Sequence, residues 1–414
     1  MTFIHISLKK WNNVTMPSLI LINRTINSFL KLHFQFIIFI TLNILFFFNI
    51  LIFHSKVSFN GFNYNINSNH FIEDVRTEGK SFSLLNSLGQ FDAQWYLKIA
   101  REGYAKISEN SGESEQMAYA FFPFYPLIIR LFNSVIKDIE VSAFLISNLL
   151  VAINFFSFIY IIKKHFSYEI SLKAIYILFF FPFAIFFRSY YTEGVYLVLL
   201  LWFSYFLLEK KYYKSSLFLS LLNITKASGF LLNLLFIYLA FRDFHKRKIR
   251  LSELLISAFL LFVPFMIWVY FNYHNTGSFI YFLLARSYWS PFAKFPFLSI
   301  FNNLALIFLF PFLPLHLFHF SQVDIITVFI FLLLLIKSKK ILPRVYWLVS
   351  LCLWLSPLLV SDTMSFSRYQ SVNFPIFIYL SQILKGKQYF IVLSIFFLLL
   401  MITSLFFVNW WWVG

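Results

Sequence analysis

An all-α polytopic membrane protein is the fold class that the sequence predicts, and three observations support it. Hydrophobic residues make up 60% of the 414 residues and charged residues only 12%, about half the charged share of a soluble domain. Apolar runs long enough to cross about 30 Å of hydrocarbon recur from Phe34 to Val408. Short clusters of lysine and arginine lie between these runs, which the positive-inside rule assigns to the cytosol.

The charge balance and the single cysteine narrow the class further. A net charge of +17 would also suit nucleic-acid binding, but the lysines and arginines form no continuous basic face. We therefore expect the lipid bilayer, and no nucleic acid, as a partner. Cys352 lies alone in an apolar run, which excludes an internal disulfide and a cysteine metal cluster. Because no aspartate pair or histidine–carboxylate cluster has ligand spacing, we expect no metal and no cofactor.

Placing every basic cluster in the cytosol gives about eleven crossings, with a cytosolic basic tail over 1–33 and the opposite end outside. The predicted spans are 34–53, 141–162, 172–187, 194–209, 215–225, 228–241, 252–272, 322–337, 344–360, 370–385 and 388–407. The hairpin 215–241 is short for two full crossings. We expect one transmembrane domain over 1–414, and the sequence leaves its oligomeric state open.

Two long loops lie on the outer side in this arrangement. The first extracytoplasmic loop covers 54–140, and a second, extracytoplasmic or re-entrant, covers 273–321. Each contains an apolar piece broken by two prolines, 121–136 and 297–319, which we interpret as interfacial or re-entrant. Most carboxylates fall outside, and the exceptions are Glu169, Glu209, Asp243 and Glu253. The outer face is therefore where we expect chemistry.

The first loop contains the polar stretch "GQFDAQWYLKIAREGY". Phe91, Trp95 and Ile99 recur at four-residue spacing, which predicts a short amphipathic helix whose aromatic stripe lies on the outer leaflet. Asp92 would cap the N-terminus of that helix or serve as a catalytic carboxylate. Composition does not separate the two roles.

Other charged and aromatic residues share the outer face: Arg188, Glu193, Lys226, His274, Arg286, Trp289 and Arg368. Arg188 and Glu193 lie at a membrane boundary, where they could pair with each other or serve a site. Lys226 lies between two short hydrophobic helices, a position that suits an anion. Cations hold phosphate oxygens while a lipid tail stays in the bilayer. Because phosphate is a good leaving group, one carboxylate base completes a transferase that uses a lipid-phosphate sugar.

Five segments, in order, resemble the PIG-V family, the glycosylphosphatidylinositol mannosyltransferase 2 type of membrane GT-C glycosyltransferase. "FDAQWYLKIAREGY" and "YAFFPFYPLIIR" are similar to its Trp-Asp-Ala signature and Phe-Phe-Pro element. "FPFAIFFRSYYTEGVYL", "NITKASGFLL" and "SFSRYQSVNFP" are similar to its Tyr-Ser-Glu, Thr-Arg-x-x-Gly and Arg-Tyr elements. The resemblance extends from about Gly89 to Pro375. Phe91 replaces the usual tryptophan, and Lys226 replaces an arginine, which keeps the charge but loses the bidentate fork.

The resemblance implies a GT-C fold and inverting transfer of mannose from polyprenyl or dolichyl phosphate mannose to a hydroxyl of a glycolipid or glycan on the extracytoplasmic face. It makes Asp92 the catalytic base, and Lys226, Arg368 and Arg188 the residues that bind the donor phosphate. The candidates for other substrate contacts are Gln94, Trp95, Glu193, His274, Arg286 and Trp289. A bacterial or archaeal plasma membrane is favoured over the endoplasmic reticulum.

Two alternatives stay open at the level of sequence. A polytopic transporter or lipid flippase would also have many spans and buried charges, although it would more often show inverted repeats and charges near the middle of the membrane. A GT-C enzyme that uses another lipid-phosphate sugar would share the same donor chemistry.

Overall fold

The computed structural model describes residues 16–108, 111–288, 321–360 and 363–414. Regular structure in these ranges is helical, without a strand. The contacts group into two units, Met1–Leu51 and Ile52–Gly414. The first unit contains most of one long helix, and every residue of the candidate site belongs to the second.

The α-helices are numbered here in chain order. They are α1 Met16–Phe53, α2 Gly61–Asn67, α3 Leu84–Ser87, α4 Asp92–Glu102, α5 Glu113–Met117, α6 Phe124–Ile136, α7 Ile139–Ile162, α8 Tyr168–Phe179, α9 Glu193–Leu208, α10 Tyr212–Asn223, α11 Phe230–His245, α12 Leu251–Thr276, α13 Tyr281–Ala285, α14 Ser321–Ser338, α15 Arg344–Val360, α16 Phe366–Gln370, α17 Phe374–Ile383 and α18 Lys387–Phe407.

Several of these helices fit a membrane by length and composition, which makes the protein a helical integral membrane protein. Five candidate spans lie in the described residues: Leu30–Lys56, Ile139–Ile162, Ala227–His245, Leu251–Thr276 and Lys387–Phe407. A sixth exists if Glu113–Ala120 and Phe124–Ile136, which meet at a bend of 108°, form one broken span. Three shorter apolar helices are Glu193–Leu208, Arg344–Leu359 and Phe374–Ile383. The count of about eleven crossings stays a prediction.

One predicted span, 172–187, is interrupted in its middle. Its helix ends at Phe179, and a short 3₁₀ turn begins at Ala184. Pro182 explains the break, because it lacks an N–H and disfavours helical geometry in the residue before it. Arg188 Nη1 donates to the carbonyl oxygens of Phe179 at 3.2 Å and Ala184 at 3.0 Å. Since backbone carbonyls away from water need a partner, Arg188 stabilises the interruption.

The helix predicted around Asp92 is present as α4, but its aromatic stripe faces the protein. Phe91, Trp95 and Ile99 are all buried, and Trp95 stacks on Phe121 with ring centroids 5.5 Å apart. The expected position on the outer leaflet is therefore wrong for this face. Packing against protein fixes α4 more firmly than a lipid surface would, and it fixes Asp92 at the start of the helix.

Candidate functional site

Four charged side chains from four separate segments form one connected network. Arg368 Nη1 donates to Asp92 Oδ2 at 2.8 Å, and Arg368 Nε donates to Glu193 Oε1 at 2.7 Å. Lys226 Nζ donates to the same Glu193 oxygen at 2.7 Å. The network therefore joins two carboxylates and two cations, and its formal charge is zero.

Asp92 is the most accessible member of the network. It is the first residue of α4, preceded by Phe91 with a positive φ of 55° and no side-chain cap. The carboxylate therefore pairs with Arg368 in place of the predicted capping role, and the N-terminal helix dipole favours its negative charge. Its side chain is 34% exposed. Oδ1 accepts no hydrogen bond from the described residues, so a substrate hydroxyl can approach it.

Glu193 lies at the centre of the network and is only 1% exposed. The alternative in which it pairs with Arg188 is wrong, because its Oε1 accepts from both Lys226 and Arg368. Its Oε1 holds two cations side by side, and its contact with substrate stays a prediction.

Lys226 lies just before the short turn that leads into α11, and its side chain is 15% exposed. Burial lowers the pKa of Lys226 to about 8, although the nearby Glu193 carboxylate opposes this change. The ammonium also lies 4.3 Å from the centre of the Tyr369 ring, an arrangement that favours a cation. Lys226 is therefore a cation that titrates close to physiological pH.

Arg368 is enclosed by aromatic rings. Burial alone would lower the pKa of Arg368, but Glu193 and Asp92 raise it above its usual value. The guanidinium carbon lies 4.6 Å from the Tyr191 ring centre and 5.0 Å from that of Phe186. This arrangement keeps water from the guanidinium and stabilises its charge.

Asp324 of α14 positions Arg368 and was missed by sequence reasoning. Its Oδ2 accepts from the Ser365 N–H at 2.8 Å and its Oδ1 from the Ser367 N–H at 2.7 Å. Ser365 has a positive φ of 65°, a conformation that needs local support in a residue other than glycine. Asp324 thus fixes the start of the helix that carries Arg368. In the sequence, Asp324 stands out only as a carboxylate near the start of an apolar span.

A small cavity adjoins the network. Its volume is about 10 Å³, roughly that of one water. Its lining residues are Glu193, Tyr196, Lys226, Ser228, Leu353, Pro357, Tyr369 and Val372. The carboxylate Oε2 of Glu193 is buried without a hydrogen-bond partner among the described residues. A water molecule in the cavity would have a polar group to bind.

Three of the predicted site residues are buried and make their contacts within the protein. Arg188 is fully buried and donates to the two backbone carbonyls described above, and its contact with a donor phosphate stays a prediction. Gln94 donates to the Ile72 carbonyl and accepts from Ser68 Oγ. These two hydrogen bonds connect α4 to the loop that follows α2. Trp95 is buried against Phe121. The side chains of Gln94 and Trp95 therefore have no face open to substrate.

Three further predicted residues belong to the segment predicted as the second outer loop. His274 is exposed and contacts its neighbour Asn275, so the structure does not bring it to the network. Arg286 is half-buried, and its positive charge affects the pKa of Tyr369. Burial raises the pKa of the Tyr369 phenol, and the charges of Arg368 and Arg286 oppose the rise. Trp289 lies outside the described residues.

The arrangement offers a half-exposed carboxylate next to cations, which suits acid–base chemistry on a hydroxyl beside a bound anion. Within the described residues, no group of three or more histidine, cysteine, aspartate or glutamate side chains could hold a metal ion. Comparison of the chain with protein-family models, curated proteins and solved structures gives no match.

Proposed function

We propose that the protein is a membrane glycosyltransferase that transfers mannose from a polyprenyl-phosphate mannose donor to a hydroxyl of a glycolipid or glycan acceptor. The observation that carries the proposal is the network of Asp92, Arg368, Glu193 and Lys226. It brings together one residue from each of four of the five segments that resemble the PIG-V family.

Asp92 acts as the general base. Arg368 fixes one carboxylate oxygen at 2.8 Å and leaves Oδ1 to accept the proton of the acceptor hydroxyl. The acceptor oxygen then attacks C1 of the sugar, and the bond between C1 and the phosphate oxygen breaks. The electron pair of that bond leaves with the polyprenyl phosphate. Attack on the face opposite the leaving group inverts the anomeric centre, and no second carboxylate is needed because phosphate leaves without protonation.

The cations stabilise the departing phosphate. Arg368 uses Nε and Nη1 within the network, and its Nη2 donates to no described residue. Lys226 donates one of its three N–H groups to Glu193, and the other two remain available to a phosphate. A phosphate can therefore bind Lys226 without breaking the ion pairs that hold the base, while Arg368, which is 3% exposed, acts on it through its charge. Charge on the leaving group grows as the bond breaks, and fixed cations beside it lower the barrier.

The proposal includes a GT-C fold with about eleven crossings and a site on the extracytoplasmic face. Each of the eleven predicted spans overlaps at least one helix of the structure, which is consistent with the arrangement. With the positive-inside assignment of the basic clusters, α4 lies outside and the basic turn after α11 lies in the cytosol. The membrane would be a bacterial or archaeal plasma membrane.

In vitro transfer tests the proposal. Purified protein in nanodiscs is given polyprenyl-phosphate mannose, polyprenyl-phosphate glucose or a nucleotide sugar, together with lipid extract as acceptor, and the products are analysed by mass. Hexose transfer from the mannose lipid alone supports the proposal. Transfer from the glucose lipid instead identifies another lipid-phosphate sugar as the donor. Movement of the intact lipid from one leaflet of a liposome membrane to the other, without sugar transfer, would make the protein a flippase.

A further inference from the structure

The segment Val408–Gly414, which follows α18, is built into the candidate site. Val408, Asn409, Trp410 and Val413 are buried. Gln90 binds the segment at two points: its Nε2 donates to the Val408 carbonyl at 3.0 Å, and its Oε1 accepts from the Trp410 N–H at 3.2 Å. Gln90 lies two residues before Asp92, so the segment is tied directly to the loop that carries the proposed base.

The same segment also contacts the helix that carries Arg368. Ser365 Oγ donates to the Gly414 carbonyl at 2.8 Å. A Cβ atom on Gly414 would lie 2.6 Å from the Phe186 ring and 3.0 Å from Arg368 Cβ. Such close approach leaves no room for a side chain. The segment thus spans the distance between the two halves of the ion pair.

Trp412 is the half-buried ring in the middle of this segment. Its ring centre lies 5.0 Å from that of Phe91 and 6.0 Å from that of Phe186. The Arg368 guanidinium lies 5.8 Å from the same ring. Trp412 therefore faces the cation that holds the base, and part of its surface is open.

The three consecutive tryptophans differ in their hydrogen bonds. The Trp410 indole donates to Asp74 Oδ2 and the Trp411 indole to the Ser58 carbonyl, each at 2.9 Å. The Trp412 Nε1–H is buried and has no hydrogen-bond partner among the described residues. A buried donor without an acceptor costs about 1–3 kcal/mol. A ligand that accepts this hydrogen bond would remove the penalty.

We propose that Trp412 is a sugar-contacting residue, with its ring against the transferred sugar and its indole N–H donating to a sugar hydroxyl. This inference rests on the proposed function. A pocket that orients a sugar needs an aromatic surface and a few fixed polar groups, and tryptophan offers both in one side chain. A site that hydrogen-bonds a substrate hydroxyl also rejects sugars in which that hydroxyl is absent or misplaced. Trp412 is therefore a determinant of which sugar is transferred.

Substitution at Trp412, with Trp411 as matched control, tests the inference. Trp412→Phe keeps a ring but loses the donor, and we expect kcat/KM for the lipid donor to fall about threefold to tenfold. Trp412→Ala also loses the ring, and we expect a fall of about 30-fold or more. Discrimination between polyprenyl-phosphate mannose and glucose should narrow in both. Trp411→Phe, whose ring lies against Phe406, should retain the native value.

Donor binding gives a second readout that does not depend on turnover. Binding of polyprenyl-phosphate mannose should change a tryptophan fluorescence component that Trp411→Phe retains and Trp412→Phe lacks. The inference is overturned if both Trp412 variants, folded as judged by thermal unfolding, match Trp411→Phe in kcat/KM and in the fluorescence change. An active native protein with that result still supports the proposed function. Native protein that neither binds nor uses any lipid-phosphate sugar overturns both.

Discussion

Arg368 donates to Asp92 at 2.8 Å across 276 positions of the sequence. A guanidinium is planar and its donors point in fixed directions, so this pair sets the direction of the carboxylate as well as its charge. Glu193 holds the same guanidinium through Nε. The proposed base is therefore oriented by a cation that is itself fixed from the opposite side.

Asp92→Asn should reduce sugar transfer by at least about 100-fold, because general base catalysis contributes about 10²–10⁴-fold. An amide can keep the hydrogen bond from Arg368 but cannot take the acceptor proton. The measurement is initial transfer rate with protein level and thermal unfolding recorded in parallel. Glu102→Gln, the same change at the exposed end of α4, is the control and should transfer at the native rate. Native activity in Asp92→Asn would remove the proposed base.

The sequence was sufficient to select the members of this network but not their partners. Charged residues are few in so apolar a chain, so Asp92, Glu193, Lys226 and Arg368 stand out without a structure. Their pairing depends on how distant helices pack, and no local pattern reports it. Arg188 stood out for the same reason, yet its contacts follow from the backbone break that Pro182 introduces.

Periodicity shows a similar limit in α4. Four-residue spacing of aromatic residues predicted the helix, and the structure confirms it. The same spacing arises whether a face meets lipid or protein, so it could not distinguish the two environments. The segment at Trp412 was not selected, because tryptophans near a membrane boundary are ordinary interfacial anchors.

Glu193→Leu should destabilise the protein by about 3–5 kcal/mol, since removing one partner of a buried ion pair leaves the other charges uncompensated. Two cations, Lys226 and Arg368, then lie side by side without their shared anion. The measurement is the free energy of unfolding in detergent. Lys226→Met in the Glu193→Leu background should recover part of that loss, because it removes the cation that loses its anion, while Arg368 keeps its ion pair with Asp92. Equal destabilisation in the single and double variants would contradict the shared-anion arrangement.

Activity should depend on pH through Lys226. Because its pKa is lowered to about 8, Lys226 is charged below pH 8 and becomes neutral above it. We expect kcat/KM for the lipid donor to fall as pH rises through that value, since kcat/KM reports groups of the free enzyme. The fall in kcat should come at higher pH, because a bound phosphate favours the charged ammonium.

Lys226→Arg provides the control for this dependence. Arginine stays protonated throughout the range, so kcat/KM of this variant should stay level between pH 7.5 and about 9.5. A fall at the same pH in both proteins would assign the titration to another group.

Sidedness can be measured with thiols, because Cys352 is the only native cysteine. In a Cys352→Ser background, Glu102→Cys places an exposed thiol on the helix of Asp92, and Arg247→Cys places one in the basic turn after α11. A membrane-impermeant thiol reagent added to intact cells should label position 102 at once and position 247 only after permeabilisation. The reverse labelling would put Asp92 in the cytosol and contradict the proposed extracytoplasmic site.

Arg286→Gln should raise KM for the lipid donor while leaving kcat largely unchanged. The four-residue network has no net charge, so it orients a phosphate better than it attracts one. Arg286 is half-buried near Tyr369 and forms no ion pair with the described residues, so it supplies the excess positive charge. Loss of a charge-assisted contact of about 1.5 kcal/mol corresponds to roughly a tenfold rise in KM.

Attraction of this kind weakens with salt, so the native KM should rise with ionic strength more steeply than the KM of Arg286→Gln. Arg101→Gln, which removes an exposed arginine from α4, should keep the native KM and its salt dependence. Equal salt dependence in native protein and Arg286→Gln would exclude Arg286 from donor binding.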